Sequence, residues 1–257
     1  MSIATEQEVA YTAPAMLAHK RVILTPTYNE RENISSLVPE ILSLHPEVYV
    51  TVIDDSSPDG TGEVVKELMK VYPTLSLLSR PGKQGFSSAY KMGIAHTLKD
   101  PEVARIILMD ADGSHAPEYL QALVEESDYD LIIGSRYAPG GQTEDRDATR
   151  IKVSRFANAY ARFFTGLRFH DMTSGFLSFS APALRALDFS EFKAAGFAFL
   201  MELKYHVVHH GGSVKEAPIT FKSRRSGDSK ISRKILLEGV RTPLRLSVHK
   251  LRARLGL

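Results

Sequence analysis

Apolar residues along this chain fall into short, nearly uninterrupted runs that alternate with stretches of helical spacing. Arg21 to Thr25 (RVILT) reads as a strand, and Asn29 followed by Glu32 forms a capping-box pattern that opens a helix toward Leu44. Val48 to Asp54 (VYVTVID) is a second strand; after a polar loop from Asp55 to Thr61, apolar positions 64, 65, 68, 69 and 72 mark the next helix. A third strand, LSLLS, leads through PGKQGF into the helix SSAYKMGIAHTL. A fourth, Arg105 to Asp110 (RIILMD), ends in DADGSHAP before the helix EYLQALVEE, and a fifth, DLIIGSRY, carries Arg136 near its end. Strands without polar alternation need cover on both faces. The pattern therefore predicts an α/β protein with a mostly parallel central sheet between two layers of helices.

Past Tyr137 the rhythm changes. A charged, Gly-rich loop enters the helix KVSRFANAYARFF, HDMTSGFLSFS reads as a compact turn and strand, FAFLMELKYHVVHH as a buried helix, and VKEAPITF as a closing strand. Glu202 lies in that buried helix, where an unpaired carboxylate is costly, so it calls for a basic partner or a role in a site. Residues 1–19 lack periodicity and read as a flexible lead-in, 20–235 as the folded domain, and 236–257 as a basic amphipathic tail. Two amphipathic segments are expected there, joined at Thr242 and Pro243. The second would carry an apolar stripe of Leu244, Val248, Leu251 and Leu255 beside Arg245, Lys250, Arg252 and Arg254.

Composition narrows the chemistry. With 257 residues, 43% hydrophobic and 24% charged, the chain is an ordinary globular protein, and the absence of cysteine excludes disulfides, thiolate metal sites and thiol nucleophiles. No stretch approaches the roughly 20 apolar residues of a membrane span, so a cytoplasmic protein with peripheral membrane contact is expected. The net charge of +2 hides an asymmetry. From Lys215 onward 12 basic residues face 3 acidic ones, so the last part carries +9 and the rest −7. That split suits a tail that meets an anionic surface.

In open α/β sheets ligands bind at the carboxyl ends of the strands. The polar clusters of this chain stand there: Tyr28 to Glu30, Asp54 and Asp55, Asp110 to His115, and Ser135 with Arg136. Asp110 and Asp112 can both reach the loop side of one strand end. Hard divalent cations take such oxygen ligands together with substrate phosphates and water. There is no GxGxxG after the first strand and no GxxxxGK[ST] motif, so dinucleotide and P-loop sites lack their phosphate cradle. DADGS looks like the DxDG[ST] of haloacid-dehalogenase-type phosphatases, although there the motif ends the first strand and here the fourth. A phosphatase with Asp110 as nucleophile, and a non-catalytic module docked by its basic tail, remain alternatives to a transferase.

Six motifs in order then resemble one family: PTYNE (26–30), Asp-Asp-Ser-Ser-Pro-Asp-Gly-Thr (54–61), DADGSHAPE (110–118), GSRY (134–137), TSGF (173–176) and FKSRRSGDSK (221–230). Together they are similar to the polyprenyl-phosphate (dolichyl-phosphate) mannosyltransferases of inverting glycosyltransferase family 2, which have a Rossmann-like GT-A fold, and in particular to the actinobacterial polyprenol-phosphate-mannose synthases. The resemblance implies that Pro26, Tyr28 and Glu30, with Asp54 or Asp55, hold the nucleotide. It implies that Asp110 and Asp112, flanking Ala111, bind Mg²⁺ or Mn²⁺ across the donor diphosphate, with Ser114 at the place of a further ligand in some relatives. Arg224 and Lys230 would contact the donor diphosphate, and Arg136, Arg150 and Ser154 would grip the acceptor phosphate. Asp112, Arg136 and Arg224 would be the catalytic set. The implied partners are GDP-mannose, with UDP-glucose as the alternative donor, a polyprenyl monophosphate, and the cytoplasmic membrane face or an integral-membrane protein; nucleic acid is not among them.

Overall fold

A computed structural model describes residues 20–125, 128–144, 148–222 and 233–255, the last with side chains for 237–252. The expected lead-in, residues 1–19, lies outside the described residues. Strands β1 (Lys20–Thr27), β2 (Tyr49–Asp54), β3 (Leu75–Ser79), β4 (Val103–Leu108) and β5 (Leu131–Ser135) alternate with helices α1 (Arg31–Leu44), α2 (Thr61–Met69), α3 (Phe86–Thr97) and α4 (Leu120–Glu125). The second half adds β6 (Gln142–Thr143), α5 (Ala148–Thr165), β7 (Leu177–Ser180), α6 (Ala181–Arg185), α7 (Ala198–His209), β8 (Val214–Pro218), β9 (Thr220–Phe221) and α8 (Arg233–Leu255).

One seven-stranded sheet runs in the order β3-β2-β1-β4-β7-β5-β8, and β6 pairs with β9 in a small parallel ribbon. Every pair in the large sheet is parallel except those of β7, which lies antiparallel between β4 and β5. The strands are apolar on both faces because both are covered. Ile23 and Ile107 pack toward Ile34, Leu37 and Ile41 of α1, while Val22, Leu24, Ile106 and Leu108 face the opposite core with Ile94 of α3 and Phe199 and Leu203 of α7. The register aligns Thr27 with Asp54 and Leu24 with Leu108, which brings the ends of β1, β2 and β4 to one edge.

Three local expectations are corrected. No capping box opens α1: Asn29 takes a left-handed φ of 58°, and the N-cap is Glu30 without a side-chain bond. The Arg31 N–H instead donates to Asp59 Oδ2 at 3.0 Å and the Glu30 N–H to Thr61 Oγ1 at 3.1 Å, so the helix is capped from the neighbouring loop. The closing strand splits into β8 and β9: the Ile219 N–H donates to the Ser135 carbonyl as the last rung against β5, and from Thr220 the chain pairs with β6 instead. The tail does not break at Thr242 and Pro243; α8 is continuous through them. Thr242 and Leu246 are buried, with the Tyr205 hydroxyl donating to the Leu246 carbonyl and the Tyr160 hydroxyl to that of Val240. Packing of this inner face carries the helix past a proline that would otherwise end it.

Glycine sets one close approach in this architecture. A Cβ on Gly93 of α3 would clash with Ile53 Cδ1 and stand 3.1 Å from Leu24 Cδ1, both fully buried. Gly93→Ala should therefore lower stability by about 1–3 kcal/mol through overpacking, although at an open helical position alanine would raise it by up to about 1 kcal/mol. A urea midpoint shifted downward at unchanged slope is the expected result; an upward shift would mean that α3 stands off the sheet.

Candidate active site

At the shared edge of β1, β2 and β4 a cleft of about 430 Å³ opens. Pro26 and Glu30 form one wall, Lys83 to Ser87 a second, Asp110, Ala111 and Asp112 the floor, and Ala195 to Phe197 with Glu238 of α8 the far side. A wider, shallower hollow of about 780 Å³ between α1 and α2 holds none of the candidate ligand residues picked out from the sequence. Of the candidate residues the cleft lining brings together Pro26, Glu30, Asp110, Ala111 and Asp112, and Tyr28, Asp54, Asp55, Arg136, Arg150 and Ser154 are not in that lining.

Asp54 and Asp55 separate in role. Asp54 is turned inward, accepting bonds from Thr27 Oγ1 at 2.9 Å, Ser57 Oγ at 2.5 Å and the Ser57 N–H at 3.0 Å. Asp55 pairs with Arg80, Nε to Oδ1 at 2.8 Å, and accepts the Gln84 N–H at 3.1 Å. It thus anchors the loop that carries Lys83, whose ammonium sits 4.3 Å from the Tyr28 ring centroid. The sequence reading passed over Lys83, Gln84 and Arg80; their signal was the basic run between β3 and the Gly85 start of α3.

Asp110 and Asp112 meet on the cleft floor. The Ser114 hydroxyl donates to Asp112 Oδ1 at 2.6 Å, as does its N–H at 3.1 Å, so in this arrangement Ser114 braces the carboxylate. Behind them the fully buried Tyr90 phenol is pushed well above its usual pKa, first by burial and then by the charges of Asp110 and Asp112. His115 is buried and stacked on Phe176, with Nδ1 accepting the Asp110 N–H at 3.3 Å. Burial pulls its pKa down to about 4, so the ring is a neutral prop at neutral pH. Among the described residues no group of three or more Asp, Glu or His side chains could close around an ion. Two carboxylates without sulfur or imidazole fit a hard divalent cation that completes its shell with phosphate and water.

A second cluster adjoins the first. Arg136 binds Asp171 through two parallel bonds, Nε to Oδ2 and Nη2 to Oδ1, both 2.8 Å, and Nη2 also donates to Thr173 Oγ1 at 2.7 Å. Burial opposes both charges, yet the pair holds Asp171 below and Arg136 above their ordinary values. Asn158 of α5 accepts the Met172 and Thr173 N–H groups on Oδ1, and its Nδ2 donates to the Ser154 carbonyl and to Thr173 Oγ1. The Tyr137 hydroxyl donates to Ser154 Oγ at 2.8 Å. Arg136 and Ser154 are thereby brought together, and Arg150 stands exposed one turn earlier on α5. Asp171, Asn158 and Thr173 were not singled out from the sequence. Arg224 and Lys230 lie outside the described residues; the chain reaches that segment from Lys222, whose N–H donates to the Ser114 carbonyl at 3.1 Å.

Glu202 has its basic partner, Arg245 of α8 at 2.8 Å, and also accepts the Lys193 and Ala194 N–H groups. The scattered histidines of α7 form no metal cluster among the described residues.

Comparison with known proteins places these features. Residues 22–188 match the family described as glycosyl transferase family 2. A polyprenol monophosphomannose synthase of Mycolicibacterium smegmatis is 38% identical over 238 residues, 90% of this chain and 89% of the relative. An undecaprenyl-phosphate mannosyltransferase of Micrococcus luteus is 36% identical over 91% of this chain and 98% of its own. The fold resembles a glucosyl-3-phosphoglycerate synthase of Mycobacterium tuberculosis solved with Mn²⁺, UDP and glucosyl-3-phosphoglycerate (TM-score 0.58, 18% identity, 93% of this chain and 81% of that one). It also resembles a mannosyltransferase of Pyrobaculum calidifontis solved with GDP-Man and Mn²⁺ (TM-score 0.55, 16% identity, 92% and 75%).

The Asp55 and Arg80 pair yields a test. Its side chains are 7% and 0% exposed, so Asp55→Asn leaves a buried guanidinium without its counter-charge and should destabilise the fold by ~3 kcal/mol or more. Thermal melting checks this; native stability combined with lost nucleotide affinity would instead make Asp55 a direct ligand contact.

Proposed function

The chain belongs to glycosyl transferase family 2, and from that premise we propose that it transfers mannose from GDP-mannose to the phosphate of a polyprenyl monophosphate. The observation that carries this reading is the junction of two chemically opposite clusters at one turn. The carboxylates Asp110 and Asp112 floor the cleft, and Arg136 stands braced with Ser154 beyond the 171–175 turn. The two relatives that align along nearly the whole chain, both named for mannosyl transfer or phosphomannose synthesis on polyprenols, support mannose as the sugar and a polyprenyl phosphate as the acceptor.

The chemistry needs charge management more than proton transfer. A phosphate monoester has a second pKa of about 6 and is an oxygen nucleophile at neutral pH without a strong base. The bond formed joins an acceptor phosphate oxygen to the anomeric carbon, and the bond broken joins that carbon to the donor diphosphate, with inversion. On this reading Arg136, Arg150 and Ser154 hold the acceptor anion, arginine by planar two-pronged bonds. Pro26, Tyr28, Glu30 and Lys83 border the nucleotide, and Arg224 and Lys230 meet its diphosphate. Asp110 and Asp112 would hold Mg²⁺ or Mn²⁺, which offsets the charge growing on the leaving diphosphate.

The tail helix completes the reading. Its outer face exposes Leu237, Val240, Leu244, Val248 and Leu251, and neighbouring α5 exposes Val153, Phe156 and Phe163. No helix among the described residues is long and apolar enough to cross a membrane. An apolar face flanked by Arg241, Lys250 and Arg252 suits peripheral contact with the anionic lipid surface where a polyprenyl phosphate resides. Leu255 of the expected stripe and Arg254 beside it lie outside the described side chains.

Two experiments test these statements. Incubating the enzyme with a short polyprenyl phosphate and labelled GDP-mannose or UDP-glucose should give lipid-linked label from GDP-mannose. Asp112→Asn should slow that transfer about a thousandfold, equivalent to ~4 kcal/mol of lost charge stabilisation. Full activity of the variant in EDTA would remove the metal from the reading. For the tail, Val248→Glu with Leu251→Glu should sharply reduce sedimentation with phosphatidylglycerol vesicles while the melting temperature holds, because those side chains are 52% and 58% exposed. Unchanged sedimentation would deny α8 a docking role.

A further inference from the structure

Lys204 of α7 is the one lysine among the fully buried side chains of the described residues, and no feature of the nucleotide cleft accounts for it. Its Nζ donates to three backbone carbonyls of a single turn: Met172 and Ser174 at 2.8 Å and Asp171 at 3.4 Å. That turn bears on both halves of the site. Asp171 and Thr173 hold Arg136, and Gly175 follows directly, where a Cβ would stand 3.3 Å from Asp110 Oδ2. Burial draws Lys204 down to about 7, partly countered by the negative charge of Asp171, reinforced by Arg136 and countered again by Glu216. A methionine or leucine would fill the same space without that desolvation, so packing alone gives no reason for an amine here.

We propose that Lys204 is a positioning residue for acceptor capture: its three bonds fix the 171–174 turn in the shape that aims Asp171, and through it the guanidinium of Arg136, at the acceptor phosphate. This rests on the assignment of Arg136 to the acceptor and adds a residue that touches no substrate. The turn is held from its other side by Asn158, which takes its N–H groups, while Lys204 takes its carbonyls. Only a group with several donors at one point can bind three converging carbonyls, and ammonium supplies three.

The test compares Lys204→Met, which keeps the length and removes every donor, with Lys204→Gln, whose amide keeps two N–H donors. Steady-state constants are measured with farnesyl phosphate as acceptor and GDP-mannose as donor. The acceptor KM should rise about tenfold in Lys204→Met and by a smaller factor in Lys204→Gln, with the donor KM within twofold of wild type in both. A structural role alone would lower the melting temperature of both variants and leave the two KM values unsplit, which overturns the proposal. If Lys204→Met does not fold, the Lys204→Gln split decides. Absence of any transfer by the wild-type enzyme would overturn the acceptor assignment itself, whereas wild-type transfer with unsplit variant constants overturns only the role of Lys204.

Discussion

Arg136 and Asp171 form an ion pair from which water is almost shut out, and the second half of the site is arranged around that fact. The two side chains are 15% and 0% exposed, so each charge loses most of its hydration and must recover it from protein dipoles. The recovery is visible atom by atom. Asp171 takes two guanidinium bonds, the Arg136 N–H and the Thr173 N–H and hydroxyl, while its own N–H is held by Glu216 Oε1 at 3.1 Å. Such a pair tolerates little displacement: leaving one partner behind as a lone buried charge costs about 3–5 kcal/mol. The 171–174 turn is accordingly tied down by Asn158 on its N–H side and by Lys204 on its carbonyl side. The Arg136 guanidinium is thereby fixed in direction.

The same economy organises the other half of the site. The segment after β2 caps the one after β1: Asp59 takes the Arg31 N–H, Thr61 the Glu30 N–H, and Ser57 the Asn29 N–H at 3.0 Å. Burial works against Asp59, yet the Thr61 hydroxyl and the Arg31 and Thr61 N–H groups hold its carboxyl below the ordinary range. The helix N-terminus that projects toward the cleft is therefore positioned by a neighbouring strand's loop. Glu30, the N-cap of α1, inherits its placement from it, whereas Pro26 is placed by the β1 pairing with Ile53.

How far this was legible in the sequence follows from the range of each interaction. Strands β1 to β5 and their helices were readable because burial on both faces writes itself into contiguous residues such as RVILT and RIILMD. Asp110 and Asp112 were readable because one strand end carries both. The antiparallel insertion of β7 was not, since a four-residue strand has no periodicity that states its direction. The capping box failed for a different reason: Asn29 and Glu32 have the right spacing, but Ser57, far along the chain, takes the Asn29 N–H that Glu32 would have bound. Asp171 and Lys204 went unnoticed because their meaning lies wholly in partners 30 or more residues away. Glu202 was the exception, flagged by a local contradiction between its charge and the apolar helix around it.

The tail shows why a proline and a stripe were weak guides to the end of the chain. Leu244, Val248 and Leu251 do form a row, yet the contacts that fix α8 come from other residues: Thr242, Leu246 and the pair of Arg245 with Glu202. Glu202 spends its remaining acceptor capacity on the N–H groups of Lys193 and Ala194, which lead directly into the Ala195–Phe197 wall of the cleft. Glu238 of the same helix lines that cleft as well. An exposed apolar outer face and an inner face continuous with the cleft thus belong to one helix, so α8 is part of the body that builds the cleft.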